Sequence, residues 1–121
     1  MKNNNFDLED RTAKLAEMII NLVRKIKITP INKRVIEQIV GSGGSLGANY
    51  CEANEAESRK DFIHKIGICK KETKETLHWL RLLASTNPEI KEDIKPIWKE
   101  TREQMLIFAK IKNSSLKKLN N

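Results

Sequence analysis

Two pairs of side chains in this sequence have the spacing of metal ligands on a helix. Asp61 and His64, and again Glu75 and His78, each place a carboxylate and an imidazole three residues apart, as helices do in di-iron proteins. Both pairs fall on one predicted helix, about 21 Å apart at 1.5 Å per residue, so they cannot hold one metal together within a chain. The other predicted helices offer no matching inward carboxylate. We therefore expect both pairs to lie on the helix surface and the chain to carry no metal or other cofactor.

The glycine-rich segment 41–47 raises a second chemical possibility, a phosphate-binding loop. It lacks the lysine followed by serine or threonine that a nucleotide-binding loop needs, and no strand precedes it. No glycine-flanked serine comes with a candidate histidine and acid partner. The sequence therefore predicts a protein that is not an enzyme.

Positive charge collects where the first predicted helix ends and the second begins. Five cations lie there: Arg24, Lys25, Lys27, Lys33 and Arg34. Because these two helix ends meet at one end of an up-and-down bundle, we expect a spatial cluster that suits a phosphate backbone. The formal net charge of +7 also favours polyanionic partners. No base-reading motif accompanies the cluster, so the predicted binding depends on charge or shape.

A second basic group closes the sequence. The lysines there are Lys110, Lys112, Lys117 and Lys118, and no acidic residue follows Lys110. We predict a basic, frayed tail that contributes to the same nucleic-acid binding.

The elements that must position these residues are four helices in one domain, residues 1–121. The chain is 39% apolar and 32% charged, with three prolines and five glycines, a composition typical of an all-α globular protein. Spacings of alternately four and three residues predict helices at about residues 8–27, 32–55, 60–85 and 92–116. Short connections favour an antiparallel up-and-down four-helix bundle.

The repeated spacing also predicts which side chains face the core. The inward positions are Leu8, Thr12, Leu15, Ile19, Leu22 and Ile26; Val35, Ile39, Ser42, Leu46, Asn49, Ala53 and Ala56; Phe62, Ile66, Cys69, Thr73, Thr76, Leu80 and Leu83; and Ile94, Ile97, Thr101, Met105, Phe108 and Ile111. At the helix ends, Asp7 is a candidate N-cap. Pro96 is tolerated in the first turn of the fourth helix, which should therefore begin near Glu92.

The second helix has two possible readings. Gly41, Gly43, Gly44 and Gly47 would each cost about 1 kcal/mol relative to alanine inside a helix, which favours two helices joined at 42–44. The apolar and small residues nevertheless keep the same alternating spacing of four and three residues through the glycines. We predict a single helix whose small residues let a neighbouring backbone come close, and the broken helix stays open as the alternative.

The first ten residues show no secretory signal, and no apolar run reaches transmembrane length. Cys51 and Cys69 have no metal-like or redox-like spacing. The sequence therefore favours a cytoplasmic protein whose cysteines remain thiols.

The central motif carries a family resemblance. The run SGGSLGANYCEANEA at 42–56, followed by KDFIH at 60–64 and KETKETLHWL at 71–80, closely resembles the bacterial four-helix bundle family encoded by intervening sequences in large-subunit ribosomal RNA genes. The opening FDLEDRT at 6–12 matches as well. The resemblance implies an unbroken second helix and a homopentameric ring. The family is also similar to accessory proteins of diversity-generating retroelements, basic pentamers that associate with a reverse transcriptase and nucleic acid.

The motif residues are interpreted as structural or interface residues. They are Ser42, Gly47, Asn49, Tyr50, Glu52, Asn54, Glu55, Glu72, Glu75 and Trp79. The polar ones would hydrogen-bond between helices or subunits and fix the register, since buried polar groups need partners. The alternative is a patch that recognises a partner.

Three functional hypotheses follow. The leading one is a non-enzymatic homo-oligomer that binds structured RNA, or another nucleic acid, through its basic surface. The second is a scaffold that docks an enzyme such as a reverse transcriptase. The third is a metal-dependent oxidoreductase that uses Glu75 and His78.

Overall fold

The computed structural model describes residues 4–120, with side chains from Leu8 onward. Four α-helices make up the fold: α1 (Asn4–Val23), α2 (Lys33–Asn54), α3 (Arg59–Thr86) and α4 (Lys91–Asn120), with a short 3-10 helix, Pro88–Ile90, before α4. Residues 4–120 contain no strand. α3 has its most extensive contacts with α2 and α4, while α1 packs on α2 and, less extensively, on α4. The predicted all-α class with four helices is confirmed.

All six inward positions that the sequence predicts for the first helix are buried. The six positions, Leu8, Thr12, Leu15, Ile19, Leu22 and Ile26, are each at most 9% exposed. The helix begins at Asn4, so Asp7 lies inside it and the prediction of an N-cap there is wrong. It ends at Val23, earlier than predicted, because the chain tightens into bonds from the Lys25 and Ile26 amides to carbonyls three residues back. The first three cations of the cluster therefore lie in the connection to α2.

α2 runs unbroken through all four glycines, as the continuous rhythm predicts. Two of them face α1. A methyl group added at Gly43 would come within 2.7 Å of the Ile19 Cδ1 atom, and one at Gly47 within 3.1 Å of the Thr12 Oγ1 atom. The helix therefore has glycine at the two positions where an added methyl group would press on side chains of α1. Gly41 and Gly44, by contrast, have nothing within 4 Å of such a methyl group.

α3 starts on a side-chain cap and forms the middle of the fold. The Ser58 hydroxyl accepts a hydrogen bond from the Asp61 amide at 3.0 Å, which satisfies one of the free amides of the first turn. Every predicted inward position of α3 is buried except Phe62, which is half-buried. The core on the α2 side differs from the prediction at several positions. Asn49 and Ala56 are half-buried, whereas Ile36, Gly43 and Tyr50 are buried, and the Tyr50 ring centroid lies 5.7 Å from that of Phe108.

α4 differs from the sequence prediction in its first residue and in its buried positions. It begins at Lys91, so Pro96 is its sixth residue and lies in the second turn rather than the first. The carbonyl that loses its helical donor belongs to Glu92, an exposed residue that water reaches. Further along, Gln104 is fully buried while the predicted Met105 is half-buried.

The predicted frayed tail is also wrong. α4 continues to Asn120 and includes Lys117 and Lys118. Ser115 is 9% exposed and Leu116 is half-buried, so the inward stripe of α4 extends past the last predicted seam position. Packing therefore holds the helix beyond the point where charge alone predicts an end.

The two cysteines have different surroundings, and both are free thiols. Cys69 is buried, with its sulfur 4.0 Å from the Leu46 carbonyl oxygen. Burial raises the pKa of this thiol to about 12, so it remains protonated and unreactive at neutral pH. Cys51 is exposed on α2. Within residues 4–120 no helix is both long enough and apolar enough to cross a membrane.

The contrast between the glycines gives a stability prediction. Gly41→Ala should raise the free energy of unfolding by about 1 kcal/mol, because alanine favours the helix and the site is open. Gly47→Ala should lose that gain, since its new methyl group meets Thr12 at 3.1 Å. Urea denaturation of the two variants measures both effects. Equal stabilisation by both substitutions would show that α1 does not need glycine at position 47.

Candidate nucleic-acid interface

The connection between α1 and α2 is organised by one buried side chain, Asn32, which is 1% exposed. Its Oδ1 atom accepts a hydrogen bond from the Thr29 backbone amide at 2.8 Å. The backbone amide of Asn32 donates to the Thr29 hydroxyl at 3.3 Å. Its Nδ2 atom donates to the Lys27 carbonyl at 3.0 Å and to Asn87 Oδ1 at 3.4 Å. The loop is therefore tied both to itself and to the segment between α3 and α4.

The sequence analysis did not select Asn32. The run Thr29-Pro-Ile-Asn32 nevertheless carries a usable signal, because proline followed shortly by asparagine is typical of turns in which the asparagine side chain bonds the backbone. That signal predicts a structured loop in place of a flexible linker.

The five predicted cations surround this loop, and we call them the loop cluster. Arg24, Lys25 and Lys27 follow α1, while Lys33 and Arg34 are the first two residues of α2. All five are exposed. In residues 8–120 none of them forms an ion pair with a carboxylate. The three cations that follow α1 and the two that begin α2 therefore border the same loop.

The position of Lys33 and Arg34 is electrostatically unfavourable for the helix itself. The amino end of a helix carries a partial positive charge that favours acidic residues. The first turn of α2 contains no acidic residue, so these two cations oppose the helix dipole. Their charge is thus not explained by stabilisation of α2, and it remains available to an external anion.

The lysines at the end of the chain do not join the loop cluster. Asn87, which contacts the loop, lies just before α4, whereas Lys117 lies about 39 Å further along the helix axis at 1.5 Å per residue. Lys112 instead lines a cleft of about 450 Å³ together with Lys60, His64 and Lys71 of α3. Gly67 makes the room that the Lys112 side chain occupies. Sequence analysis missed this group because its members are far apart along the chain.

Several motif residues contact another helix. The pairs are Ser42 with Thr76 (hydroxyl to hydroxyl, 3.1 Å), Asn54 with Glu9 (2.9 Å), Glu52 with Lys65 (3.8 Å), Tyr50 with Phe108, and Gly47 with Thr12. Burial raises the pKa of Tyr50 to about 12, so this phenol stays neutral and serves packing. The motif thus joins α2 to each of the other three helices.

The remaining motif residues have other surroundings. Asn49 donates from Nδ2 to the Ser45 carbonyl of its own helix at 2.8 Å. Glu55 is exposed where α2 ends. Trp79 packs partly against the core, and its ring lies edge-on to His78 with centroids 4.9 Å apart.

Glu72 and Glu75 are one turn apart on α3, and their carboxyl groups are joined by a hydrogen bond. Partial burial raises the pKa of Glu72 to about 7, and the hydrogen bond and negative charge of Glu75 act in the same direction. Lys71 opposes these effects with a smaller contribution. Near neutral pH the Glu72 carboxyl is therefore partly protonated.

A polar contact between α1 and α4 was not predicted from the sequence. Arg11 binds Glu100 with two parallel hydrogen bonds of 2.8 Å, and Gln104 donates to Glu100 at 2.8 Å and to the Arg11 carbonyl at 3.1 Å. Burial alone would raise the pKa of Glu100, but the hydrogen bonds from Arg11 and Gln104 outweigh it and lower the pKa. No local pattern connects residues that lie 89 positions apart.

The candidate metal residues stay apart. His64 and His78 are exposed on α3. Among the described residues, no three histidine, cysteine, aspartate or glutamate side chains are placed to hold a metal ion.

Four helices joined by a polar motif, with an exposed basic loop, define a small all-α protein that presents charge on a fixed scaffold. The chain belongs to the family of 23S rRNA-intervening sequence proteins, whose model matches residues 4–112. The family predicted from the central motif is confirmed.

A solved structure agrees with this assignment. A protein of unknown function from the S23 ribosomal protein family of Bacteroides thetaiotaomicron VPI-5482 is 35% identical to this chain and superposes with a TM-score of 0.76. The match covers 86% of this chain and 96% of that one. No curated protein matches this sequence.

The carboxyl pair predicts a pH-dependent stability. Folded Glu72 keeps its proton to about pH 7, whereas the unfolded chain loses it near the ordinary value of 4.5. The folded state binds more protons in this window, so stability falls as pH rises through it. Glutamine resembles the protonated carboxyl, and Glu72→Gln should therefore raise the melting temperature at about pH 8 and leave it unchanged at about pH 4.

Thermal unfolding followed by circular dichroism at both pH values checks this prediction. Glu37→Gln makes the same substitution at an exposed site on α2, away from the carboxyl pair, and serves as the control. A pH-independent effect of Glu72→Gln would contradict the assignment.

Proposed function

We propose that this protein is a non-enzymatic homo-oligomer that binds structured RNA through the loop cluster. The observation that carries the proposal is the set of five exposed cations without ion-pair partners in residues 8–120, on a loop fixed by Asn32. A fixed array of unpaired cations suits a polyanion, since phosphate contacts release condensed counterions and need no conformational change.

RNA is the polyanion that we place first. The family takes its description from intervening sequences of 23S rRNA, and the solved relative belongs to a family described as ribosomal. Neither description states a binding activity for this chain, so the charge arrangement remains the main support. Contacts to phosphates position a protein without reading bases, and we therefore expect preference for a shape of RNA over a sequence.

The test is a combined substitution of Lys25, Lys27, Lys33 and Arg34 by glutamine. Binding of labelled structured RNA, single-stranded RNA and duplex DNA is measured across a salt series. The variant should lose RNA binding at physiological ionic strength while the helical circular dichroism is unchanged. At low salt, the slope of log affinity against log salt should fall by about three, as four phosphate contacts are removed.

The matched control replaces Lys110, Lys112, Lys117 and Lys118 by glutamine, an equal change in charge at the other end of α4. We expect a smaller loss of binding from this variant. A larger loss would move the site to the Lys112 cleft and the α4 end. Weak wild-type binding that disappears with salt would favour the second candidate, a scaffold that docks an enzyme such as a reverse transcriptase.

We also propose that the helices form an antiparallel up-and-down bundle. Contacts between α1 and α2 pair Glu9 with Asn54, Thr12 with position 47, and Ile19 with position 43. Numbers that rise along one helix fall along the next, which supports opposite directions.

The exposed side of α2 supports association with further copies of the chain. Between Glu37 and Glu52 the exposed residues of α2 are Val40, Gly41, Gly44, Ala48 and Cys51. This surface carries no charge, although 32% of the chain is charged. A second copy that packs on Val40, Ala48 and Cys51 would cover this uncharged surface, and we propose a pentameric ring.

Ala48→Glu tests this assembly by adding a charge to the uncharged side of α2. Light scattering should give the wild type a mass of five times the 13.9 kDa chain, and the variant a smaller mass. Ala13→Glu makes the same change at an exposed site on α1 and should leave the mass unchanged. A monomeric wild type would contradict the ring.

A further inference from the structure

The tip of the α1–α2 loop carries the two most exposed large apolar side chains of residues 8–120. Ile28 is 61% exposed and Ile31 is 74% exposed. Most other isoleucines in this part of the chain are buried or half-buried. Single exposed apolar residues are normal on protein surfaces, but Ile28 directly precedes one turn and Ile31 lies within it, with the exposed Pro30 between them.

The turn cannot fold these side chains inward. Thr29 and Asn32 are bonded to each other across Pro30 and Ile31, and the Lys33 amide closes the turn on the Thr29 carbonyl at 3.0 Å. Proline fixes its own backbone angle. The loop therefore holds the two isoleucines in water in the unbound protein, and their burial is left for a partner.

Cationic side chains flank the tip on both sides. Lys27 directly precedes Ile28, and Lys33 follows Ile31 by two residues. The helices that flank the loop expose Arg24, Lys25 and Arg34. The partner must therefore combine negative charge with an accessible apolar surface within a short distance.

We propose that Ile28 and Ile31 form an apolar wedge that packs on base faces where the stacking of a bound RNA is interrupted, while the loop cluster holds the adjacent phosphates. This inference rests on the proposed function and narrows its substrate to RNA with a bulge or helix junction. A continuous A-form duplex presents a deep, narrow major groove and a wide, shallow minor groove, so it exposes no base face to the wedge. Isoleucine and proline are among the residues that proteins insert at unstacked base steps.

A lipid surface fits the tip less well. Segments that lie on membranes present a broad apolar face along a helix. Here the helix ends next to the tip expose cations, and the apolar surface is confined to the turn. Two exposed isoleucines and one proline between cations match a gap between bases better than a bilayer.

The experiment compares two RNA duplexes of the same sequence, one fully paired and one with a short unpaired bulge. Wild-type protein is compared with the double variant Ile28→Ser, Ile31→Ser. The control is Leu106→Ser, Leu119→Ser, which changes two exposed leucines of α4. Affinities are measured across a salt series, with anionic phospholipid vesicles as a separate probe. Urea denaturation verifies that each variant folds.

We expect the wild type to prefer the bulged RNA by about tenfold or more, the scale of burying one to two such side chains. The loop variant should lose this preference, bind the paired duplex like the wild type, and keep the same salt slope, because no charge changes. The leucine control should behave like the wild type.

Two other results would overturn the wedge and leave the charge-based proposal intact: equal wild-type affinity for both RNAs, or a preference that survives in the loop variant. Loss of vesicle binding in the loop variant, with RNA preference unchanged, would assign the tip to lipid. Failure of the wild type to bind either RNA would overturn the proposed function as well.

Discussion

The close packing of α2 on α1 is the constraint on which the rest of the structure depends. A methyl group added at Gly43 would lie 2.7 Å from Ile19 Cδ1, and one at Gly47 would lie 3.1 Å from Thr12 Oγ1, so the α1 side chains would have to shift to admit either. This close packing aligns the buried seams of both helices and places their ends next to each other. The nine residues 24–32 must then connect the two helices within a short span. Five cations are crowded onto this connection and its borders as a consequence.

Hydroxyl groups are part of the same close-packed interior. Thr12, Thr76 and Thr101 are buried, and each donates to a carbonyl three or four residues earlier in its own helix, at 2.7 to 3.1 Å. A threonine satisfied in this way presents a methyl group to its neighbours and leaves no unpaired donor. Polar residues can therefore occupy the inward stripe at little cost. The Thr76 hydroxyl also bonds Ser42, which adds direction to the contact of α3 with α2.

The fold could be predicted from the sequence because its signals are periodic. All predicted inward positions of the first helix and nearly all of those of α3 are buried, as the spacing indicates. The spacing through the glycines also correctly favoured one helix over two. The errors lie where packing chooses between neighbours. Tyr50 takes the core position predicted for Asn49, and Gln104 replaces Met105 because Arg11 and Glu100 bind it.

The position of the five cations at one helix connection is visible in the sequence, since they lie within eleven consecutive positions. Contacts between distant residues could not be predicted. The Arg11 to Glu100 pair and the cleft around Lys112 depend on how the helices are placed, and one sequence contains no signal for such pairs. The exposed isoleucines were visible as residues, but only the hydrogen bonds of Asn32 show that they are held outward.

The hydrogen bond from Asn32 to Asn87 connects the basic loop to the residue that caps α3 and begins the short 3-10 helix leading into α4. Helix ends open and close more readily than helix centres, and local opening is suppressed when a neighbouring segment is held in place. A molecule that holds the α1–α2 loop therefore restrains the entrance of α4, although it never touches that helix. Hydrogen exchange of the backbone amides in the first turns of α4 then depends on whether the loop between α1 and α2 is occupied. Asn32 is the residue that transmits this restraint.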